Sequence, residues 1–200
     1  MRFIGVYDYT VWLTYLSLIS AFLGLIQACG GNVKLAVFCI MFSGFCDMFD
    51  GMVARTKKNR TQDEKNFGIQ IDSLVDVIAF GVTPAAVFYS CGVRSGIGLA
   101  ILVFYVTCGV IRLGFFNVLE TKRQANPEES GCLKAYRGMP ITFSAMITPF
   151  VCALCWILPV QLRPWAYHIT PALMGFFFVL DVEIPKIDLS ALLSGAKKNG

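Results

Sequence analysis

The sequence has one histidine, His168, and its eight cysteines form no pattern typical of a disulfide or zinc framework. The cysteines are scattered, mostly within apolar runs, where cysteine usually acts as a small apolar residue. Cys152 and Cys155 form a Cys-x-x-Cys motif, but no second pair accompanies it. We therefore expect no structural zinc or redox site, and no chemistry that depends on histidine.

Charged residues are also sparse, at 15% of the chain, whereas apolar residues make up 56% and the mean hydropathy is +0.64. A soluble domain has roughly 45–50% apolar residues. Long apolar runs recur along the chain, so the sequence predicts an all-α, polytopic membrane protein with one domain, residues 1–200. The first apolar run has no small-residue cleavage site before the next one, so we expect no cleaved signal peptide.

Six transmembrane helices are predicted. Their approximate bounds are residues 10–29, 33–54, 68–89, 96–119, 139–158 and 165–180. Gly30, Gly31 and Asn32 are expected to form the first turn. Pro84 lies within the third span and is expected to kink it or end its first half.

Basic residues are distributed unevenly between the two predicted faces of the membrane. Of the 17 lysines and arginines, 13 lie on the face that carries both termini, three lie on the opposite face, and Arg112 lies within a span. This asymmetry predicts that both termini and both long loops face the cytosol, in the cytoplasmic membrane. His168 stands near the outer face and is interpreted as interfacial.

Four aspartates interrupt the apolar sequence of the second and third spans. Asp47 and Asp50 are three residues apart, and Asp72 and Asp76 are four apart, so each pair shares one face of its helix. Facing pairs would be unfavourable without cations, since each buried charge costs roughly 2.5–3.5 kcal/mol on insertion scales. Carboxylate oxygens suit Mg²⁺ and Mn²⁺. The sequence therefore predicts a divalent-cation site that opens toward the cytosol.

The aspartates belong to a longer motif, Asp47-x2-Asp50-Gly51-x2-Ala54-Arg55-x12-Gly68-x3-Asp72-x3-Asp76. It resembles the signature of the CDP-alcohol phosphatidyltransferases, D-x2-D-G-x2-A-R-x8–9-G-x3-D-x3-D, and every signature residue is present. The loop between the two halves is about three residues longer than the common form. We expect this difference to alter the cytosolic edge of the site and not the metal ligands.

The resemblance implies that the four aspartates hold two divalent cations, Mg²⁺ or Mn²⁺. It also implies that Asp76 acts as the general base, which takes the proton from an acceptor hydroxyl. Because the family is dimeric, a homodimer is expected.

The same resemblance implies that Gly51, Ala54 and Gly68 line the pocket for the CDP moiety. Close packing between helices is the alternative role for these small residues. Arg55 is expected to hold a phosphate, or else to extend along the membrane edge.

Three further stretches resemble the family members that form phosphatidylserine. FGVTPA at 80–85, RLGFFNV at 112–118 and YRGMP at 136–140 are similar to their FGVAPA, RLARFNV and FxGLP. This implies that the phosphatidyl group of CDP-diacylglycerol is transferred to the hydroxyl of L-serine, with release of CMP. The partners would be these substrates and membrane lipids, and no nucleic acid. The asparagine that the family often has early in the first span is not found in DYTVWLTYLS.

Arg112 needs a partner, because a charge within an apolar run is unfavourable. It is expected to bind a lipid phosphate or the serine carboxylate, which guanidinium can contact through two hydrogen bonds. A structural pairing with the aspartates is the alternative. Asn117 is expected to orient the same ligand. Lys134 and Arg137 lie at the cytosolic edge, where contact with anionic headgroups is a sufficient explanation.

Other functions remain open from the sequence. A related transferase with glycerol 3-phosphate or inositol phosphate as acceptor would keep the same aspartates. A divalent-cation transporter would also place acidic residues within spans, although such proteins more often have internal repeats, and none is evident here. A structural membrane scaffold would leave the aspartates unexplained.

Overall fold

The computed structural model describes residues 5–57, 59, 61–125, 135–181 and 183–185, which are almost entirely helical. The helices are α1 (Trp12–Cys29), α2 (Val33–Thr56), α3 (Gln62–Asp76), α4 (Thr83–Ser90), α5 (Gly96–Ala125), α6 (Ser144–Ile157) and α7 (Arg163–Val179). Short 3₁₀ turns at Tyr9–Val11 and Ile141–Phe143 precede α1 and α6. A π-helical turn, Val77–Val82, joins α3 to α4.

Within the described ranges, four helical stretches are long and apolar enough to cross a membrane: Tyr9–Cys29, Val33–Ala54, Gln62–Ser90 and Gly96–Lys122. The apolar stretch Ile141–Ile157 is shorter. Large apolar side chains are exposed around the bundle, for example Phe22, Phe38, Val103, Phe150 and Ile157. Such a surface suits lipid and not water. The predicted helical membrane architecture is therefore confirmed, while the six crossings stay a prediction.

The first two helices form a tightly packed hairpin. Gly31 has a φ of 81°, and the Asn32 side chain accepts a hydrogen bond from the backbone N–H of Leu35, so the predicted turn and the start of α2 are both confirmed. A Cβ at Gly24 would lie 2.9 Å from the Cβ of Cys39, which shows how closely the two helices approach. The hairpin therefore fixes α2, which carries the first aspartate pair, against α1.

The third span begins earlier than the sequence analysis predicted. The helix starts at Gln62 and not at Gly68, because Thr61 and Glu64 form a capping box. The Thr61 hydroxyl accepts from the backbone N–H of Glu64 at 3.2 Å, and the Glu64 carboxylate accepts from the backbone N–H of Thr61 at 3.0 Å. Much of the predicted polar loop is therefore the first part of α3.

Pro84 changes the third span, although it does not end it. Proline has no N–H with which to bond the carbonyl of Phe80, and its ring would crowd that carbonyl in a regular α-helix. The helix widens into the π turn before Pro84, and the hydroxyl of Tyr105 on α5 donates to the carbonyl of Phe80. The Thr83 hydroxyl donates to the carbonyl of Ile78 at 2.9 Å. These two hydroxyls stabilise the turn that directly follows Asp76.

A short antiparallel strand pair lies outside the helices and was not predicted. Strand β1 (Ala135–Arg137) pairs with β2 (Glu183–Pro185), so the segment before α6 meets the segment after α7. Gly138 follows β1 with a φ of 66°, and a Cβ there would lie 2.7 Å from the carbonyl oxygen of Leu180. The chain can make this close approach only with glycine.

Two apolar clusters form the interior of the bundle. One contains residues from α1, α2, α4, α5, α6 and α7: Ala28, Val37, Ile40, Val87, Phe88, Leu102, Cys152, Cys155 and Tyr167. The other surrounds the π turn: Ala21, Ala79, Phe80, Tyr105, Cys108, Ile141, Met174 and Phe178. The second cluster supports the helix that carries Asp72 and Asp76.

Candidate active site

The two aspartate pairs face each other across the space between α2 and α3. One carboxylate oxygen from each of Asp47, Asp50 and Asp72 lies within 4.8 Å of the other two. Asp50 lies next to Asp72, and Asp47 lies next to Asp76. Asp76 is the most buried of the four, with 7% of its surface exposed. The structure therefore brings together all four aspartates that the motif identified.

Three close carboxylates are a donor set that fits a hard divalent cation, because Mg²⁺ and Mn²⁺ prefer oxygen ligands. Like charges in apolar surroundings are unfavourable unless a cation or protons compensate them. The arrangement of Asp47, Asp50 and Asp72 thus supplies a physical reason for a cation at this position. Asp76 adjoins this group through Asp47.

A cavity of about 570 Å³ opens beside the aspartates. Its lining comes from the 3₁₀ turn before α1, the start of α1, the end of α2 with the residue after it, α3, and one residue of α5: Thr10, Val11, Thr14, Asp50, Gly51, Ala54, Lys57, Gln62, Lys65, Gly68, Ile69, Asp72 and Glu120. Gly51, Ala54 and Gly68, which the motif assigned to the CDP moiety, all belong to it. The small residues of the motif therefore border open space next to the acidic group.

Gly51 distinguishes between the two roles left open for the small residues. A Cβ built at Gly51 would meet no atom within 4 Å, whereas a Cβ at Gly44 would lie 2.5 Å from the Cβ of Ala145 on α6. Gly44 is thus a helix-packing glycine. Gly51 has no neighbour to pack against in the described part of the chain, and its lack of a side chain leaves room in the cavity.

Lys57 lies at the edge of the cavity and forms ion pairs with the segment before α1 and with the start of α3. Its Nζ lies 2.6 Å from an Asp8 carboxylate oxygen and 3.1 Å from one of Glu64. The hydrogen bonds to Asp8 and then to Glu64 raise the pKa of Lys57 above its ordinary value of 10.5. Glu64 belongs to the capping box, so the extended start of α3 takes part in forming this edge.

Arg112 is buried near the end of α7 and not on the wall of the aspartate cavity. Its guanidinium donates to the carbonyl oxygens of Phe178 at 3.3 Å and Gly138 at 3.4 Å, and it lies over the ring of Phe116 at 4.5 Å. It lines a second, mainly apolar cavity of about 230 Å³ between α5 and the chain after α7. The backbone carbonyls explain how a charge is accommodated in this apolar region.

Asn117 connects α5 to the acidic helix. Its Oδ1 accepts a hydrogen bond of 2.9 Å from the hydroxyl of Ser73, the residue directly after Asp72. Asn117 is therefore close to the aspartates, whereas Arg112, on the same helix, contacts the end of α7.

Some residues named from the sequence cannot be placed by their side chains. Arg55 lies in the last turn of α2, but its side chain is outside the described residues, as is that of Arg137 in β1. Lys134 is outside the described residues altogether. The predicted contacts of these three residues with phosphate or headgroups stay predictions.

The residues interpreted as structural have ordinary surroundings. Nδ1 of His168 lies 2.7 Å from the carbonyl oxygen of Pro164 in its own helix. Cys152 and Cys155 are buried in an apolar cluster with free thiols. The structure therefore agrees with the interpretation of these cysteines as apolar packing residues.

Three neighbours of the site were not predicted from the sequence: Thr14, Lys57 and Lys65. Thr14 is 5% exposed, and its hydroxyl donates to an Asp50 carboxylate oxygen at 3.1 Å. A signal for Thr14 was present, since Thr10, Thr14 and Ser17 recur at helical spacing within an apolar span. The lysines had no comparable signal, because many basic residues flank membrane helices.

The chain is similar in sequence to proteins of a known family. Residues 10–180 match the family model described as CDP-alcohol phosphatidyltransferase. No solved structure matches the chain.

Three of the named relatives share about a quarter to a third of the aligned residues. The chain is 34% identical over 110 residues to a CDP-diacylglycerol–serine O-phosphatidyltransferase of Saccharomyces cerevisiae, covering 54% of this chain and 38% of the relative. It is 34% identical over 135 residues to an archaetidylserine synthase of Methanothermobacter thermautotrophicus, covering 67% and 53%. A CDP-diacylglycerol–serine O-phosphatidyltransferase of Methanocaldococcus jannaschii is 27% identical over 172 residues, covering 86% and 72%.

The match covers only about two fifths of the length of the first relative and about half of the length of the second. The family match is broader, because it covers all the helices from α1 to α7, both aspartate pairs and the cavity between them. The chain therefore belongs to the CDP-alcohol phosphatidyltransferase family.

Proposed function

We propose that the protein transfers the phosphatidyl group of CDP-diacylglycerol to the hydroxyl of L-serine, giving phosphatidylserine and CMP. The observation that carries the proposal is the convergence of the aspartates of α2 and α3 beside a cavity of about 570 Å³. The names of the relatives support serine as the acceptor. Since one relative is named an archaetidylserine synthase, an archaeal donor lipid is the alternative to a diacylglycerol.

The residues of the motif have distinct roles in this proposal. Asp47, Asp50, Asp72 and Asp76 would hold two divalent cations, Mg²⁺ or Mn²⁺, and such ions would supply neutralisation of the phosphate charges. Gly51, Ala54 and Gly68 leave room for the CDP moiety, and Arg55 binds one of its phosphates.

Proton transfer is assigned to Asp76. A carboxylate oxygen of Asp76 takes the proton from the serine hydroxyl as its oxygen attacks the phosphorus nearest the lipid, and CMP leaves. No covalent intermediate with the protein is needed, so most of the rate enhancement comes from orientation and charge neutralisation. The burial of Asp76 next to Asp47 supports this role, because it keeps the base away from bulk water.

Arg112 and Asn117 are proposed to contact the lipid phosphate or the serine carboxylate. Arg112 contributes a positive charge at the wall of an apolar cavity, which suits an anion that is attached to, or approaches, a lipid. Asn117 orients the ligand from α5, where its link to Ser73 holds it beside the acidic helix.

The protein is proposed to cross the cytoplasmic membrane six times, with both termini and the aspartate cavity on the cytosolic side. The described helices form six helical segments when α3, the π turn and α4 count as one. The basic residues concentrated on one face support this orientation. The donor lipid would enter laterally and serine would enter from the cytosol. A homodimer is proposed from family membership alone.

The test is incorporation of labelled serine, together with release of CMP, by purified protein in CDP-diacylglycerol vesicles with Mg²⁺ or Mn²⁺. Asp76→Asn is expected to bind metal more weakly and to form almost no product. Asp63→Asn is the matched control, because Asp63 is exposed in the first turn of α3 and remote from the acidic group. Near-normal turnover by Asp76→Asn would remove Asp76 from its role. CMP release stimulated by glycerol 3-phosphate or inositol phosphate, and not by serine, would exclude serine as the acceptor.

A further inference from the structure

Helix α1 supplies no residue of the family motif, yet it reaches the acidic group. Thr14 is 5% exposed, lines the aspartate cavity, and donates through Oγ1 to Oδ2 of Asp50 at 3.1 Å. A hydrogen bond weakens steeply when it is misaligned, so this contact limits rotation of the Asp50 side chain. Among the described contacts of Asp50, it is the one made by a neutral side chain.

Thr14 is itself held firmly in place. It heads a row of hydroxyls on α1 that contact α2, in which Ser17 bonds the hydroxyl of Ser43 and Ser20 donates to the carbonyl of Cys39 at 2.9 Å. Ser17 and Ser20 are also buried. The row therefore fixes α1 on α2, and the position of the Thr14 hydroxyl follows from that packing.

Thr14 differs from the other members of the row in what it bonds. Ser20 bonds a backbone carbonyl, so its hydroxyl stabilises the contact between the two helices. Thr14 bonds a carboxylate that faces Asp72 and lies within 4.8 Å of two other carboxylates. The direction of a ligand's lone pairs depends on such supporting hydrogen bonds, and their loss typically lowers metal affinity about 10- to 100-fold.

We propose that Thr14 is a positioning residue, whose hydroxyl orients the Asp50 carboxylate for a divalent cation shared with Asp47 and Asp72. This inference rests on the proposed function, since it assumes that the acidic group binds a cation. Thr14 does not take part in the chemical step. It keeps one oxygen of Asp50 directed toward α1, so that the remaining lone pairs are directed toward the other carboxylates.

The test measures Mn²⁺ binding to purified full-length protein in lipid nanodiscs by electron paramagnetic resonance, without substrate. Thr14→Val keeps the branched shape but removes the hydroxyl, and it is expected to weaken Mn²⁺ binding roughly tenfold. Thr14→Ser keeps the hydroxyl and is expected to bind Mn²⁺ within a few-fold of wild type. Thermal unfolding of each variant shows that the protein measured is folded.

Two further variants distinguish failure of the role proposed for Thr14 from failure of the proposed metal site. Ser20→Ala removes a hydroxyl from the same row without touching a carboxylate, so it is expected to lower thermal stability and leave Mn²⁺ affinity unchanged. If it weakens Mn²⁺ binding as much as Thr14→Val does, helix packing is responsible and the inference is overturned. Asp50→Asn should strongly reduce binding. If Asp50→Asn reduces binding and Thr14→Val does not, the inference alone fails; if neither does, the proposed metal site also fails.

Discussion

Replacing Gly51 by alanine should raise stability while impairing substrate binding. Gly51 is within α2, where alanine is about 1 kcal/mol more favourable than glycine. The added methyl group would meet no atom within 4 Å, so no packing strain opposes this gain. We expect the melting temperature of the purified protein to rise.

The same methyl group would project into the cavity that we propose for the CDP moiety. A ligand forced to share that space is expected to lose about 1–3 kcal/mol, by analogy with overpacked interiors. This corresponds to a rise of roughly 5- to 150-fold in KM for CDP-diacylglycerol. The assay is CMP release at varied donor concentration and saturating serine, with melting followed on the same preparation.

Two other glycines provide matched controls. Gly114→Ala also places a Cβ in open space on a helix, on α5, so it should raise the melting temperature and leave KM unchanged. Gly44→Ala places a Cβ 2.5 Å from that of Ala145, so it should lower the melting temperature. If Gly51→Ala raises stability and has the KM of Gly114→Ala, the space beside Gly51 does not hold the nucleotide.

Two further changes test the surroundings of the site. Tyr105→Phe leaves the buried carbonyl of Phe80 without the hydroxyl that bonds it, and is expected to lower the free energy of unfolding by about 1–3 kcal/mol in denaturation experiments. Lys57→Met removes the ion pairs to Asp8 and Glu64. Because those contacts raise the pKa of Lys57, the stability that they contribute is present below its ordinary pKa of 10.5 and is lost as pH rises through the higher folded value. The difference in melting temperature between wild type and Lys57→Met should therefore persist at neutral pH and disappear only above pH 10.5. Unchanged stability of Tyr105→Phe, or a difference for Lys57→Met that vanishes near pH 8, would contradict these expectations.

The acidic group could be found from the sequence because its geometry follows from helical spacing. Aspartates three or four residues apart must share a helix face, and charges within apolar sequence are unfavourable unless a partner such as a shared cation compensates them. The positions of Gly51, Ala54 and Gly68 along the cavity agree with the motif for the same reason, since each lies near an aspartate on its helix.

The start of α3 and the π turn were harder to predict from the sequence. Thr61 and Glu64 do form a recognisable capping box, but a polar segment rich in lysine was interpreted as a loop. The π turn is stabilised by a distant residue, because Tyr105 bonds the carbonyl of Phe80, to which Pro84 cannot donate. No local pattern predicts that contact. The strand pair likewise joins segments that are about fifty residues apart.

The placement of the acidic residues depends on helices that carry none of them. On one side, Ser17 of α1 bonds Ser43 of α2, and Thr14 of α1 contacts Asp50 directly. On the other, Tyr105 of α5 stabilises the turn directly after Asp76, and Asn117 bonds the residue after Asp72. The motif therefore specifies which charges are present, whereas contacts from α1 and α5 determine how those charges are directed. A hairpin that contained only α2 and α3 would keep the complete motif but lose these contacts, so it should bind divalent cations far more weakly than the full chain does.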